Sequence, residues 1–469
     1  MVLIVNTCSI KSCKIISNDI AIKRTIEVNK LVLYCATSVF LLTLSTAVYA
    51  AVATSKMTLQ EAVGIGILKS PDYGQAAQDS LAAKQVTFQA MGLNLPALNL
   101  STETGQEHTS FLGVPPQDQT MWHSRATLSL TQLLFDGWGT WSQISGQKAR
   151  AESAANHAGE VAEFSGLDSV EAFMQVLRQR ELLKIARSNV DAHLKILDTI
   201  EAGAKAGTIT EGDVAQIRAR LAQARATVAS SEENLRQAES LFSQKIGETP
   251  GNLAEPEVPR NQLPADVNEA VRLSLLHNPR LTVTKSDIKA TEMDQVGASS
   301  LMYPHVDIEV NDSVGDNLSG VPGNNQDRTI LAVARWNLYH GGADKARMRE
   351  TLYRTASAKE RRKQTLLQVE KDTRDTWAGM VSAVDRSKDY AEQATANEKV
   401  VSVYLDQFTI GRRTLLDVLD AQNELFISRS NNLDALYAER FAVYRILALQ
   451  GRLLETLNVP KPREAMLEH

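Results

Sequence analysis

Residues 408–425, FTIGRRTLLDVLDAQNEL, contain the junction between two helices, and the rest of the chain is organised around it. Gly411 can end the first helix, because a residue without a Cβ enters the left-handed conformation at little cost. Thr414 and Asp417 have the spacing of a pair that caps the start of a second helix. Asp420 follows three residues after Asp417, so both carboxylates are predicted on one helix face. The stretch therefore predicts the tip of a helical hairpin.

The same pattern occurs earlier in the chain and indicates an internal duplication. In AKAGTITEGDVAQIRARL, the residues Gly207, Thr210 and Asp213 precede their counterparts at the second tip by 204 positions each. Upstream, LQEAVGIGILKSP (59–71) matches VNEAVRLSLLHNP (267–279) at an offset of 208. The predicted organisation is a repeat at 57–250, a Pro-rich link at 251–264, a second repeat at 265–457 and a tail at 458–469.

Proline spacing predicts very long helices. The chain has 13 prolines, but none lies in 117–249 or in 323–459. Because proline breaks helix interiors, these spans allow helices of unusual length. A continuous helix from Gly137 to Gly207 would be about 105 Å long. Apolar residues recur there at steps of three and four, as in a coiled coil or an amphipathic bundle, and the length favours projecting hairpins.

Short alternating stretches predict β-strands. Leu98, Leu100 and Thr102 alternate with polar residues, as do Leu128 and Leu130, and the second repeat has HVDIEVNDSV and RTILAVARWNLY in the corresponding places. Two-stranded ribbons are barely stable alone, so the four strands need partners and could close into a barrel with copies from other chains. The predicted fold is mainly α with a β-barrel part, formed by duplicated long helical hairpins and four strands per chain.

An apolar segment near the start predicts an export signal. Residues 31–53 carry no charge, follow Lys30 and end in small residues, which is typical of a cleaved signal peptide at 1–50. The run is also long enough for an uncleaved membrane anchor. All three cysteines, at positions 8, 13 and 35, lie in or before it, so a mature chain would contain no disulfide.

Composition and motifs indicate no catalysis. The formal net charge is −5, without the basic excess that nucleic-acid binding requires. The eight histidines are scattered, and no phosphate-binding glycine loop or paired-carboxylate spacing stands out. We therefore expect no enzyme activity, no catalytic or metal-binding residues and no cofactor.

Several segments resemble the TolC family of outer-membrane channel-tunnels. They are GRRTLLDVLDA at 411–421, LFDG at 134–137 and LYHGG at 338–342, within a resemblance that covers about residues 57–457. The resemblance implies a homotrimer in the outer membrane of a Gram-negative bacterium. Four strands per chain would form one 12-stranded barrel in outer-membrane lipid, and the helices would form a tunnel through the periplasm.

The resemblance also implies a function in export. WHSRATLSLTQLLFDG and VLRQRELLKIARSNVDAH look most like the branch that secretes adhesins and toxins by the type I route. The expected partners are a periplasmic adaptor (membrane fusion protein) and an inner-membrane ABC transporter. One alternative is multidrug or small-molecule efflux with a proton-driven pump. Another, from a different class, is a periplasmic coiled-coil adaptor or scaffold.

Site residues follow from the resemblance by position. Asp417 and Asp420 would form a cation-attracting constriction of the lumen, although a helix dipole would also favour an acid at the first position. Asp213 and Arg413 match a polar gate pair that holds the tip closed, although a solvated charge is the alternative for Arg413. Phe408 stands where a tyrosine is common and cannot donate a hydrogen bond. The residues expected to contact the adaptor are Gly207, Thr208, Thr210, Gly411, Thr414 and Leu415.

Overall fold

The computed structural model describes residues 56–111 and 117–463. The chain divides into two compact units, and the first, Met1–Met57, lies almost wholly outside the described residues, together with the expected signal peptide. The second unit, Thr58–His469, contains all the elements described below.

The second unit shows the same succession of elements twice: two short helices, two strands and two long helices. The first succession consists of α1 (Leu59–Lys69), α2 (Pro71–Gly92), β1 (Ala97–Phe111), β2 (Gln117–Phe135), α3 (Gly139–Lys205) and α4 (Glu211–Ile246). The second consists of α5 (Val267–His277), α6 (Pro279–Ser300), β3 (His305–Asp316), β4 (Asn324–Arg335), α7 (Ala343–Thr409) and α8 (Leu415–Leu449). Short 3-10 helices occur at Arg260–Gln262 and Leu318–Gly320, and α9 (Leu453–Thr456) follows α8.

The predicted long helices are present in both halves. α3 and α7 each contain 67 residues, which corresponds to about 100 Å at the rise of an α-helix. Each forms an antiparallel hairpin with the helix that follows it, so α3 packs on α4 and α7 packs on α8. α6 lies against both α3 and α7 and thereby links the two hairpins.

The apolar interior lies where the shorter helices and the end of α8 surround α3. Phe173 of α3, Phe242 of α4 and Tyr444 of α8 are completely buried, as are Leu453 and Leu454 at the start of α9. Glu163 of α3 is buried among them and accepts the backbone N–H of Leu453 at 2.5 Å. One carboxylate on the long helix thus satisfies a backbone donor of the C-terminal segment.

The four predicted strands are present, and they form one antiparallel sheet in the order β1-β2-β3-β4. Within this sheet, β2 pairs with β3 across the repeats, and a bulge between Leu133 and Phe135 shifts the register. The two outer strands, β1 and β4, each have one strand neighbour among the described residues. None of the helices described is both long enough and apolar enough to cross a membrane.

Candidate functional site

Both helical tips end in the backbone conformation that the glycine positions predict. Gly207 has φ = 76° and Gly411 has φ = 73°, which is the left-handed region that glycine adopts without steric cost. The next residue closes the helix end in each case, because Thr208 N–H donates to the Gly203 carbonyl and Arg412 N–H donates to the Gln407 carbonyl. The two tips therefore have the same local geometry.

Reciprocal capping fixes the start of the helix after each tip. The Thr414 hydroxyl donates to the Asp417 carboxylate at 2.8 Å, and Asp417 N–H donates to the Thr414 hydroxyl oxygen at 3.3 Å. Thr210 and Asp213 make the same pair of bonds at 2.7 and 3.2 Å. The hydroxyl donor of Thr414 lowers the pKa of Asp417, so this carboxylate is ionised at neutral pH.

An apolar cluster joins the two tips into one unit. Its buried members come from α3, α4 and α8 and are Ile196, Ile200, Ile217, Leu415, Val418 and Leu419. Phe408 is partly buried and packs against this cluster. Because of this cluster, the first and second hairpins contact each other through side chains that water does not reach.

One of the residues expected to contact the adaptor is buried in this cluster. Leu415 was expected to contact an adaptor, but its side chain is only 2% exposed because it fills the space between the hairpins. Its neighbour Leu416 points outward and is 47% exposed. Gly207, Thr208, Thr210, Gly411 and Thr414 are all exposed at the tips.

Arg413 is held by its own hairpin in this chain. Its guanidinium lies 4.1 Å from the ring centre of Tyr404 and 3.8 Å from the Asp417 carboxylate. Its Nε also donates to the Gln407 side chain at 3.1 Å. Asp213, the expected partner, is occupied by its cap with Thr210. The structure therefore shows separate local partners for these two residues and does not bring them together within the chain.

Asp420 contacts the first hairpin through an arginine that the sequence reasoning missed. Arg220 of α4 donates to the Asp420 carboxylate at 3.1 Å, and both side chains are partly exposed. Arg220 lies four residues after Gln216, the counterpart of Asp420 in the first repeat, so it occupies the same helix face. The contact neutralises part of the charge expected of an acidic ring.

A buried polar contact lies further from the tip. Gln422 of α8 donates to the Asn189 side chain of α3 at 3.2 Å, and both residues are buried. His193, one turn along α3, donates through Nδ1 to the Asn189 carbonyl at 2.8 Å. Burial lowers the pKa of His193, so the imidazole is neutral at neutral pH. The two hairpins are thus joined by apolar, ionic and amide contacts in succession.

The sheet carries one apolar and one polar face. Residues that lie opposite one another across all four strands show this clearly, because side chains of one row share a face. One row consists of Leu98, Leu130, Val310 and Ile330, and the adjacent row of Asn99, Ser129, Asn311 and Thr329.

The apolar face is exposed in the single chain. Leu98 is 64% exposed and Ile330 is 78% exposed, although each lies opposite another apolar side chain. On the polar face, Arg125 pairs with Glu103, whereas Leu331 and Val333 of β4 are apolar exceptions. The Leu98 face has a charged exception, because Asp312 and Arg328 form an ion pair two residues along β3 and β4 from Val310 and Ile330. In a soluble protein such an apolar face would be covered by other elements, because apolar surface in water is unfavourable.

Three comparisons with known proteins agree with this architecture. The family model described as "Outer membrane efflux protein" matches residues 67–248 and 270–452. The outer membrane efflux protein BepC of Brucella suis is 22% identical over 327 residues, 70% of this chain and 72% of that protein. The outer membrane protein TolC of Escherichia coli is 22% identical over 407 residues, 83% of this chain and 81% of that protein.

Solved structures show the same fold. The outer membrane protein VceC of Vibrio cholerae superposes with a TM-score of 0.72 at 16% identity, covering 86% of this chain and 97% of that one. The family and fold are those of outer-membrane channels, and no catalytic family is indicated. The family match also removes the support for a periplasmic adaptor or scaffold. The chain belongs to the outer membrane efflux protein family, the TolC family, and lies in the outer membrane of a Gram-negative bacterium, extending into the periplasm.

Proposed function

We propose that this chain is the outer-membrane exit duct of an export system and acts as a homotrimer. The observation that supports this most strongly is the apolar Leu98 row of the sheet, whose outer members Leu98 and Ile330 are exposed, beside the polar Asn99 row. Lipid outside and water inside would suit these two faces. Unpaired strand edges are costly in lipid, so β1 of one chain would pair with β4 of the next.

The helical hairpins would continue this duct through the periplasm. Three chains would contribute 12 strands to the barrel, and α3 and α7 are each long enough to extend about 100 Å from it. A membrane anchor elsewhere in the chain is not needed for this arrangement. Residues 1–50 would serve only as the signal that directs the chain out of the cytoplasm.

The tips would dock on a periplasmic adaptor and control passage. Gly207 and Gly411 expose backbone at both tips, and Leu416 adds an apolar contact beside the second one. Asp213 and Arg413 would form their gate pair only between neighbouring chains, because each has a local partner within the chain. Asp417 and Asp420 would line the narrow end, with Arg220 setting how much negative charge remains.

The proposed cargo is a protein of the adhesin or toxin class, delivered by an ABC transporter. The support is the resemblance of WHSRATLSLTQLLFDG, at 122–137, to the type I secretion branch. A second candidate is small-molecule efflux with a proton-driven pump. The name of the relative BepC, which describes an efflux protein, favours that candidate.

Deleting the gene in its own organism distinguishes the two cargo classes. Loss of one large protein from the culture medium, with unchanged drug susceptibility, supports type I secretion. Increased susceptibility to several drugs with an unchanged set of secreted proteins supports efflux. In both cases the chain itself should run as heat-sensitive trimers in the outer-membrane fraction. Monomers in the soluble periplasmic fraction would contradict the proposed duct.

A further inference from the structure

The loop between β3 and β4 folds back onto the polar face of the sheet. This loop, residues 317–323, lies at the end of the strands that is remote from the helices. The backbone N–H of Ser319 donates to the Glu107 carboxylate of β1 at 3.1 Å. Glu107 is an even number of residues from Asn99 and Glu103, so its side chain projects from the same polar face. The loop therefore covers part of that face.

Further contacts hold the loop in this position. The Asn317 side chain donates to the Trp122 carbonyl at 2.9 Å and accepts the backbone N–H of Gly323 at 3.0 Å. Leu318 is only 8% exposed, and a Cβ on Gly315 would lie 2.9 Å from its Cδ1. The absence of a side chain at Gly315 thus gives Leu318 room to pack over β3.

The backbone of the loop is one that a free chain would rarely adopt. Asn317 and Ser319 have φ values of 55° and 53°, in the left-handed region that asparagine tolerates but that disfavours serine. Such conformations persist only where surrounding contacts hold them. Here the contacts are the bonds to Glu107 and Trp122 on the neighbouring hairpin, together with the bond between Asn317 and Gly323 inside the loop.

We propose that the 317–323 loop is a second constriction of the passage, located at the distal mouth and held inward by Glu107. This inference rests on the proposed function, because the polar face lines the passage only if the sheet closes into a barrel. Three such loops would then lie against the inner wall at the end opposite the helical tips and narrow the bore there. The constriction would limit the size of what leaves the duct, independently of the tips.

The first test measures whether Glu107 holds the loop. The thiol of Leu318→Cys, in a chain whose own cysteines are replaced by serine, reports the burial of this position. Adding Glu107→Ala should raise its rate of labelling by a water-soluble maleimide about tenfold, the effect of one lost hydrogen bond to a carboxylate. Adding Glu103→Ala is the matched control, since it removes a carboxylate from the same face of the same strand without touching the loop.

Equal labelling rates in these two backgrounds would overturn the anchoring role of Glu107. Asn317→Ala provides a second route, because it removes two different bonds of the loop and should also accelerate labelling. The mass of the purified particles of each variant is measured in parallel, to distinguish trimers from monomers. Trimers with unchanged labelling would refute the inference and leave the duct intact, whereas monomers would refute the duct.

The second test asks whether the loop lies in the passage. Attaching a bulky polyethylene-glycol maleimide to Leu318→Cys in Glu107→Ala trimers should reduce their current in planar bilayers. The cysteine-free chain exposed to the same reagent is the control. Unchanged current after complete labelling would show that the loop lies outside the passage and would overturn the proposal.

Discussion

Two adjacent leucines at the second tip have different environments. Because of this difference, the packing of the hairpins and the docking of an adaptor can be tested separately. Leu415 is buried in the cluster that joins the hairpins, whereas Leu416 is exposed beside it. A change at either position alters the same short segment of α8. The pair therefore provides an internal control for any experiment on the tips.

We predict that Leu416→Asp impairs export while leaving the stability of the trimer unchanged. Leu415→Asp should instead destabilise the chain by about 3 kcal/mol, because it places a carboxylate in an apolar cluster. Export assays and thermal melting of the purified trimer measure these two effects. Normal export by the Leu416→Asp variant would mean that the adaptor does not use this side chain.

The ion pair between Arg220 and Asp420 gives a second prediction for single residues. Because both side chains are partly exposed, the pair contributes about 0.5 to 1 kcal/mol to holding the hairpins together. Arg220→Asp or Asp420→Arg should therefore raise the fraction of open channels about two- to fivefold. The double exchange should restore the wild-type fraction, as measured by conductance in planar bilayers.

Arg218 is the matched control for this experiment. It lies two residues from Arg220 and pairs with Glu201 inside the first hairpin, at 2.8 Å. Arg218→Asp should therefore leave the conductance unchanged. If Arg218→Asp and Arg220→Asp raised the fraction of open channels equally, the charge at the tip, and not the contact between hairpins, would control opening.

At the scale of elements, the C-terminal segment depends on a titratable group in the interior. Glu163 of α3 is 2% exposed and accepts the Leu453 N–H at the start of α9. Burial raises the pKa of Glu163 from its ordinary value of 4.5 to about 7, and the bond from Leu453 opposes this rise. The folded chain therefore favours the protonated carboxyl more than the unfolded chain does.

The sign of the resulting pH dependence follows from this raised pKa. The contribution of Glu163 to stability is fully present below pH 4.5 and is lost as the pH rises to about 7. The total change is about 3 kcal/mol. Glu163→Gln keeps the acceptor oxygen but cannot ionise, so the variant should melt at a higher temperature than wild type at pH 8 and at a similar temperature at pH 4.5.

Glu152→Gln serves as the control, because Glu152 lies on the same helix but pairs with Lys289 near the surface. This variant should retain the decline of the wild-type melting temperature between pH 4.5 and 8. If the melting temperature of Glu163→Gln fell as much as that of wild type between pH 4.5 and 8, the pH dependence would originate from another group.

The elements also show how far the sequence predicts the fold. Helix ends at Gly207 and Gly411 and caps at Thr210 and Thr414 depend on neighbouring residues, so local patterns were sufficient to find them. The strands were recognisable from alternation within each repeat. The pairing of β2 with β3 connects residues 171 to 192 positions apart, and no local pattern specifies its register.

The candidate site was less predictable for the same reason. The burial of Leu415 depends on side chains from α3 and α4, and an apolar residue near a tip is compatible with either packing or docking. The inward 317–323 loop depends on Glu107, which is more than 200 residues away. Such contacts become visible only when distant segments are placed in space.

At the scale of the whole molecule, the faces of the sheet and the length of the helices require partners. The exposed apolar side chains of the Leu98 row cannot be covered by the sheet itself, and the outer edges of β1 and β4 have no strand neighbour among the described residues. α3 and α7 have far more surface than their own hairpins cover, because each extends for 67 residues. Closure with two further copies would satisfy the edges and the apolar face together.

Electron microscopy of the purified chain in detergent or nanodiscs tests this central claim most directly. We predict particles with threefold symmetry, in which a short β-barrel continues into a long helical tube around a central bore. A compact particle made of one chain, without a bore, would contradict the account.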